Sequence, residues 1–395
     1  HLYVLGFLLF TASTTLSSLA GSLPELLSGR VVQAIGASIV VTNGTAIVVA
    51  AFPPNQIGRG VGLTLATVGA GGAAGPILGG LLIDWLDWRA LFYTRIPLGA
   101  VGALLCWRLL RDIPAERRPS GVDIGGSLSL FGLLTTLVLA VNRGSAWGWA
   151  STQIVALFVT CALLLGIFVL IERRALSPVV DLALFRTRRY SAGIAAGILH
   201  SFGVSAVIVL MPFYLVAGRG FSTLEAGAIF AAMPLAILLI SPTTGRLTDR
   251  FEARGLATAG LLIVVASLAF LSTLDGETSI EGIVLRLFPV GVGLGVFTTP
   301  NMSSVMGAVG SQRLGSGSAA LDVARTIGNA LGFAVAAALL ASAAGGVLGQ
   351  GDATAVGVID GIQLAFLVGA SVVAVAIIPS FCRGGPSPRD RSGKR

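Results

Sequence analysis

The sequence predicts an all-α protein that is integral to a membrane, and three observations support this. Hydrophobic residues make up 54% of the 395 residues, charged residues make up 11%, and the mean hydropathy is +0.90. Such a chain has too little polar surface to cover a water-soluble globule. Apolar runs of roughly 20 residues, long enough to cross a bilayer core of about 30 Å, recur along the chain, and most arginines lie between them.

Twelve apolar runs are predicted to cross the membrane as helices, and no segment requires a strand. They cover residues 2–21, 25–50, 58–83, 90–110, 124–142, 151–171, 191–216, 222–242, 255–274, 281–306, 315–341 and 358–379. The runs group into units that we expect to be an N-terminal bundle (1–110), two inserted spans with linkers (111–190), a C-terminal six-helix bundle (191–380) and a tail (381–395).

The basic residues predict the orientation of these spans. Of the 26 Lys and Arg residues, 19 fall in loops on one side: Arg59, Arg108, Arg111, Arg117, Arg118, Arg173, Arg174, Arg186, Arg188, Arg189, Arg246, Arg250, Arg254, Arg313, Arg383, Arg389, Arg391, Lys394 and Arg395. Four lie on the other side: Arg89, Arg95, Arg143 and Arg219. Cytoplasmic loops carry an excess of Lys and Arg. The protein is therefore expected to span the plasma membrane with both ends of this chain in the cytoplasm. The net charge of +8 therefore indicates topology and not nucleic-acid binding.

The residue inventory argues against an enzyme. Cys106, Cys161 and Cys382 have no spacing typical of a disulfide or a metal site, so no metal and no cofactor are expected. The chain contains no HExxH or GxSxG sequence, and its single lysine, Lys394, cannot complete a phosphate-binding loop. An ATP-driven pump is disfavoured for the same reason.

An internal repeat is visible in the order of charged residues and glycines. Glu25 and Arg30 recur as Glu281 and Arg286, at an offset of 256 residues. Further along, the pair Gly71 and Gly75 recurs as Gly328 and Gly332 at an offset of 257. Matching spans run in the same direction, which predicts parallel repeats related by an axis along the membrane normal.

A glycine-rich stretch from Gly71 to Gly80 is the most distinctive segment. Gly71, Gly75 and Gly79 are four residues apart and line one helix face, where a neighbouring backbone could approach closely. Pro76 is expected to bend the helix. The alternatives are a static packing seam or a seam along which two helices move.

Three segments of the chain resemble sequence motifs of a known protein family. The stretches 30–36, 71–80 and 245–254 resemble the fourth-span, fifth-span and cytoplasmic-loop motifs of the fourteen-span drug:proton antiporter family of the major facilitator superfamily. Ala34 replaces a glycine of the first motif, and Glu252 and Ala253 depart from the third.

The resemblance implies a major facilitator fold, in which two pseudo-symmetric helical bundles are joined by two inserted spans. The chain would begin at the family's third span, with the first two spans missing. The acid of the first span that is usually tied to proton coupling would then lie upstream of His1.

Membrane arginines are the first group of candidate functional residues. Arg30 would cost about 2.5 to 3.5 kcal/mol if it faced lipid, so it must meet a partner such as Glu25 or a wet cavity. The fourth-span motif places Arg30 and Gln33 near the translocation path. Arg286 is the repeat partner of Arg30, and we weight it toward a structural role.

Titratable residues within the spans form the second group. Asp322 and Arg325 are three apart on one helix face and predict either a structural salt bridge or a site for a proton or a cationic substrate. His200 lies near mid-membrane and is either a hydrogen-bonded core residue or a proton carrier. In the loop motif, Gly245 permits a turn, while Asp249 caps the next span beside Arg250 or acts as a latch between conformations.

The leading hypothesis is a proton-coupled secondary transporter that exports small amphipathic drugs or toxic compounds by alternating access, as in multidrug efflux and antibiotic resistance. A transporter of the same fold for one metabolite is the alternative. The expected partners are the amphipathic substrate, protons and the lipid bilayer, with no nucleic acid, and a monomer is expected.

Overall fold

The computed structural model describes residues 2–53, 55–110, 123–176, 178–309, 313–343 and 355–383. Helices in these ranges are α1 (Leu2–Ser18), α2 (Leu23–Ala51), α3 (Ile57–Trp85), α4 (Ala90–Tyr93), α5 (Arg95–Leu109), α6 (Ile124–Trp147), α7 (Thr152–Glu172), α8 (Arg188–Phe213), α9 (Thr223–Phe230), α10 (Ala232–Arg250), α11 (Ala253–Leu271), α12 (Ile280–Gly307), α13 (Leu314–Ala343) and α14 (Ala355–Phe381). A π-helical turn (Tyr214–Gly218) extends α8, and a 3-10 helix covers Leu182–Arg186.

Eleven helical segments are long and apolar enough to cross a membrane, and each matches a predicted run. A short break separates α4 from α5, and another separates α9 from α10, but each pair forms one continuous span. The first predicted run forms α1, which at 17 residues is shorter than the others. The described residues contain no strand, and the prediction of an all-α membrane fold is confirmed. Most of the predicted tail, residues 384–395, lies outside the described residues.

Side-chain caps fix where several helices begin. The side chains of Asp123, Ser151 and Ser279 accept hydrogen bonds from backbone N–H groups in the first turns of α6, α7 and α12. Ser222 forms a capping box with Glu225 at the start of α9. These oxygens satisfy N–H groups that have no partner inside the helix.

Corresponding helices pack alike in the two halves of the chain, of which the first comprises α1 to α5 and the second α8 to α14. In the first half α1 packs against α2 and α5, and in the second half α11 packs against α12 and α14. The repeat partners α2 and α12 have 29 and 28 residues, and α3 and α13 have 29 and 30. The halves meet mainly where α3 packs along α9 and α10, and also where α2 contacts α13.

The two helices between the halves pack against each other. Helices α6 and α7 form a hairpin whose α6 also contacts α13. The segment after α7 is tied to the second half, because Asp181 pairs with Arg313 and the backbone N–H of Asp181 donates to Ser316 Oγ at 2.9 Å. The predicted inserted spans therefore lie beside the second half in the described part of the chain.

The main hydrophobic core lies within the second half. Buried residues of α8 to α14 form one cluster that includes the fully buried Leu210, Leu268, Leu287 and Phe366. By contrast, α2 exposes large apolar side chains such as Val31 and Ile35. We use "basic end" below for the end of the helices at which α3 begins and α10 ends, where Arg59, Arg246 and Arg250 lie.

Candidate functional site

The contact between the halves is a seam of glycines between α3 and α10. A Cβ atom added at Gly62 would lie 2.5 Å from the carbonyl oxygen of Ser241, and one at Gly69 would lie 2.5 Å from the backbone nitrogen of Leu238. Neither distance is possible for a side chain. The two backbones can approach this closely only because these positions are glycine.

The glycines that form this seam are not the ones that the spacing predicted. Among the described residues, nothing lies within 4 Å of a Cβ added at Gly71 or Gly75, and at Gly79 the nearest atom is a Leu91 side-chain carbon at 3.6 Å. The expected close packing on that face is therefore wrong for this part of the chain. The seam runs instead through Gly58, Gly62, Gly69, Gly72 and Gly80, on an adjacent face of α3.

Pro76 and Gly80 do lie in the seam. A Cβ atom added at Gly227 of α9 would lie 2.6 Å from the carbonyl oxygen of Pro76, and one at Gly80 would lie 2.9 Å from Leu224 Cα. Helix α3 remains continuous through Pro76. In the repeat, Gly328 and Gly332 pack directly on the backbone of α8, so the equivalent face is used in the second half.

Asp249 links the two halves at the basic end. Its Oδ1 accepts from the backbone N–H of Gly58 at 2.8 Å and its Oδ2 accepts from that of Arg59 at 3.0 Å. Both donors lie in the first turn of α3, where free N–H groups and the helix dipole favour a carboxylate. The prediction that Gly245 permits a turn is wrong, because α10 continues through it to Arg250. Gly245 instead lets the backbones of α10 and α3 meet, since a Cβ there would lie 2.5 Å from Gly58 O.

This contact corrects one prediction. Asp249 was expected to cap the following span, but it caps α3, which lies about 190 residues earlier in the chain. The predicted pairing with Arg250 is not found among the described residues. A charged turn in sequence is thus a helix cap between the halves in three dimensions.

Arg30 and Gln33 form a polar chain between α1 and α2. Arg30 Nη1 donates to Gln33 Oε1 at 2.7 Å, and Gln33 Nε2 donates to Thr14 Oγ1 at 2.7 Å. The alternative partner, Glu25, instead accepts from the backbone N–H of Gly21 at 2.9 Å. Gln33 is buried, while Arg30 is exposed.

Arg286 is held by Phe270 near the end of α11, by Thr273 just after α11 and by its own helix α12, as its structural interpretation requires. Its Nη2 donates to Thr273 Oγ1 at 3.2 Å, its Nη1 donates to Gly282 O at 3.1 Å, and its guanidinium lies 4.4 Å from the Phe270 ring centroid. The geometry resembles that of Arg30 in one respect, because both arginines sit beside the preceding helix of their repeat.

Asp322 connects the two halves within the membrane. Its Oδ1 accepts from Arg325 Nη2 at 3.2 Å on the same helix, and its Oδ2 accepts from Thr42 Oγ1 at 2.9 Å on α2. The predicted pair with Arg325 is therefore present. Thr42 was missed, because one threonine in an apolar helix gives no sequence signal for a partner 280 residues away.

His200 lies inside the second half. It is 6% exposed, its ring stacks on that of Phe297 at a centroid distance of 4.3 Å, and its Nε2 has no hydrogen-bond partner among the described residues. The stacking fixes the ring against α12. The structure thus separates His200 from the contacts between the halves.

A buried arginine was also missed. Arg383, just after α14, is 2% exposed, and its Nη2 donates to Asn301 Oδ1 on α12. Its Nε and Nη1 have no acceptor among the described residues, and Arg189 lies close enough to repel it. Burial, with a smaller effect of Arg189, lowers the pKa of Arg383 to about 10.

Asp275 lies at the end of the helices opposite the basic end, and its pKa is lowered. In the loop after α11, the Thr278 hydroxyl donates to Asp275 at 2.6 Å and the Glu277 N–H donates at 2.9 Å. These bonds, the first above all, lower the pKa of Asp275.

The described residues contain no group of three or more His, Cys, Asp or Glu side chains arranged for a metal ion.

Membrane-spanning helices in two similarly packed halves, with an acid and a glycine seam between them, are an arrangement typical of membrane transporters. Comparison with known proteins identifies the family. Residues 1–333 and, in a second match, residues 193–395 fit the sequence profile of the Major Facilitator Superfamily. The chain belongs to this superfamily, and it is therefore a transporter and not an enzyme.

Named relatives cover most of this chain. It is 33% identical to the riboflavin transporter RibZ of Clostridioides difficile, over 85% of this chain and 72% of RibZ. It is 32% identical to the multidrug resistance protein Stp of Mycobacterium tuberculosis, over 86% of this chain and 63% of Stp. It is 28% identical to the tetracenomycin C resistance and export protein of Streptomyces glaucescens, over 87% of this chain and 64% of that protein. The matches to the last two thus span less than two thirds of their length.

The fold has a solved counterpart. The human organic anion transporter MFSD10 (TETRAN) superposes with a TM-score of 0.65, over 96% of this chain and 76% of that chain, at 18% sequence identity. This likeness supports the major facilitator fold.

Proposed function

We propose that this chain belongs to a proton-coupled exporter that moves small amphipathic compounds out of the cell by alternating access. Relatives named for multidrug resistance and for tetracenomycin C export support this direction of transport. We place the chain in the plasma membrane with the basic end and both termini in the cytoplasm, because 19 of its 26 basic residues lie on that side. The partners are the substrate and protons, and the protein acts as a monomer.

One observation carries the proposal: Asp322 is the acid that joins the halves inside the membrane. Its carboxylate holds Arg325 on its own helix and Thr42 on the other half. Protonation removes the negative charge that strengthens both hydrogen bonds. Binding a proton at Asp322 therefore loosens the contact between α2 and α13, and releasing it restores the contact.

Asp249 supplies a second closing contact. Its bonds to the first turn of α3 hold the basic end shut, and the seam along α3 and α10 gives the halves a smooth surface on which to rock. Opening to the cytoplasm requires both the Asp249 contact and the Asp322 contact to break. Arg30 and Gln33 lie on α2 and connect the motion of that helix to α1.

The test is transport in proteoliposomes that carry a pH gradient. Rhodamine 123, fluorescein and riboflavin serve as chemically distinct probes, and wild-type chain is compared with Asp322→Asn and Asp322→Glu. We expect gradient-driven transport of more than one probe, lost in Asp322→Asn and partly kept in Asp322→Glu, which can still bind a proton. Unchanged dependence on the gradient in Asp322→Asn would refute this role of Asp322.

A second candidate function is favoured by one relative, which is named a riboflavin transporter. In that case the chain would carry a single metabolite. Transport of riboflavin alone, with no competition from the two dyes, would favour this alternative over export of varied compounds.

A further inference from the structure

We propose that Arg325 binds an anionic group of the transported compound, so that the substrates are amphiphiles bearing a carboxylate or a similar oxyanion and not lipophilic cations. The inference rests on the proposed transport function and adds the chemical class of the substrate. It stands on the position, exposure and hydrogen bonding of Arg325 relative to the other membrane arginines.

Arg325 lies deep in the membrane and is accessible. It is 11 residues after the start of α13 and 18 before its end, about 16 Å and about 27 Å at 1.5 Å per residue. Its side chain is 58% exposed. A guanidinium at this depth is tolerated where it faces a wet cavity or a partner, and α13 lies here beside α2 of the other half.

Most donors of Arg325 remain available. A guanidinium carries five N–H donors in a planar fork that matches an oxyanion. Among the described residues, the contact of Arg325 is the one from Nη2 to Asp322 Oδ1 at 3.2 Å. Asp322 is better satisfied, since its second oxygen accepts from Thr42. The unused hydrogen-bonding groups of the Asp322–Arg325 pair are therefore mainly N–H donors on a positively charged guanidinium.

The charges of the spans favour the same ligand. In the described helices, the charged residues at least six positions from either helix end are Arg30, Arg286, Asp322 and Arg325. Three are cations, and the single acid is paired with Arg325. A cationic substrate that approaches Asp322 meets this arginine first and is repelled, whereas an anion gains a charge-assisted, bidentate contact.

Arg286 shows what a structural arginine looks like in this protein. Its guanidinium bonds to Thr273 and Gly282 and stacks on Phe270. Arg325 has no comparable set of partners among the described residues. The same substitution at the two positions therefore separates ligand binding from a general loss of positive charge in the membrane.

The experiment measures binding of two dyes to the purified chain in nanodiscs by fluorescence anisotropy. Fluorescein and rhodamine 123 share a xanthene core, but fluorescein is an anion at pH 7.4 and rhodamine 123 is a cation. We expect tighter binding of fluorescein to the wild-type chain. Arg325→Gln should weaken fluorescein binding at least about tenfold and leave rhodamine 123 unchanged or stronger.

Two variants complete the design. Arg325→Lys keeps the charge without the planar fork and should retain part of the affinity, which also shows that the site tolerates substitution. Arg286→Gln is the matched control and should leave fluorescein binding within about twofold. Equal weakening by Arg325→Gln and Arg286→Gln, or wild-type binding of rhodamine 123 as tight as that of fluorescein, would overturn the inference.

The outcome is distinguishable from a failure of the proposed function. Gradient-driven transport of rhodamine 123 without Arg325-dependent binding of fluorescein would overturn the anion assignment and leave proton-coupled export standing. Arg325-dependent binding of fluorescein without any effect of a pH gradient on transport would support the anion assignment and refute proton coupling.

Discussion

The membrane arginines differ in what surrounds their guanidinium groups. Arg286 has several partners around the turn between α11 and α12, Arg30 donates to the buried Gln33, and Arg325 makes one ion pair and is largely exposed. Because the desolvation cost of a cation must be met by partners, these surroundings determine what each residue can do. Residue type alone does not distinguish these arginines, although the fourth-span motif had already separated Arg30 from Arg286.

Arg383 is a buried cation in unfavourable surroundings, since two of its nitrogens have no acceptor among the described residues. Its burial lowers its pKa to about 10 from 12.5, which corresponds to roughly 3 kcal/mol at neutral pH. Arg383→Gln removes the charge and can still donate to Asn301. We therefore expect Arg383→Gln to raise Tm by about 2 °C or more in detergent, measured by thermal unfolding.

The control for this prediction is Arg254→Gln. Arg254 lies at the start of α11 with its guanidinium 3.8 Å from the Phe381 ring centroid, so it loses a favourable contact when it is replaced. The Tm of the Arg254→Gln variant should stay the same or fall slightly. A fall in Tm for Arg383→Gln would mean that the protein stabilises this charge, contrary to the prediction.

At the scale of helices, the seam depends on particular glycines of α3. Gly69→Ala would press a methyl group against the backbone of α10, with an expected cost of about 1 to 3 kcal/mol. Gly71→Ala places the same methyl group in open space and gains helix propensity, up to about 1 kcal/mol. Thermal unfolding should therefore rank Gly71→Ala at or above wild type and Gly69→Ala below it. Equal Tm values for the two variants would mean that the seam does not lie on this face of α3.

The Asp249 contact can be tested at the helix that it caps. Asp249→Ala removes the acceptor for the N–H groups of Gly58 and Arg59, and loss of such a cap costs about 1 kcal/mol. Hydrogen exchange at the start of α3 should then be about fivefold faster, as read by mass spectrometry of a peptide that covers Gly58 and Arg59.

A second acid serves as the control for Asp249. Glu252 precedes α11 and makes no side-chain cap there, so Glu252→Ala should leave exchange at the start of α3 unchanged. Faster exchange in both variants would indicate a general effect of removing negative charge at the basic end and would argue against a specific cap.

At the scale of the whole molecule, the two halves form different amounts of buried core. The large core cluster lies in α8 to α14, whereas α2 exposes much of its apolar surface among the described residues. The second half therefore has most of the packing that fixes its shape, while α3 reaches the second half through the seam.

Membrane orientation is a property of the whole molecule and follows from the distribution of arginines. In a background with Cys106, Cys161 and Cys382 replaced by serine, Arg188→Cys and Gly276→Cys should label on opposite sides of the membrane. An impermeant maleimide added to intact cells should modify Gly276→Cys and leave Arg188→Cys unmodified. Labelling of both in intact cells would exclude the proposed topology.

Sequence reasoning succeeded where the physics is local. Membrane helices need about 20 apolar residues, so most of the runs that became α2 to α14 could be located within a few positions of their ends. The exception is α10, which continues eight residues past the predicted end at 242, because its last turns are polar and carry no hydropathy signal. The pair Asp322 and Arg325 was likewise predictable, because residues three apart meet on any helix. The motif of residues 71–80 indicated a glycine contact, but its spacing pointed to the wrong face of α3.

The amino-acid sequence by itself determined the class of protein, the positions of its helices and the repeat between Arg30 and Arg286, since hydropathy, charge and spacing act along the chain. Only the tertiary structure decided that Asp249 caps α3, that Asp322 meets Thr42 and that Gly62 and Gly69 touch α10. Those contacts depend on how each helix is rotated and packed against partners some 170 to 280 residues away, which no local pattern specifies.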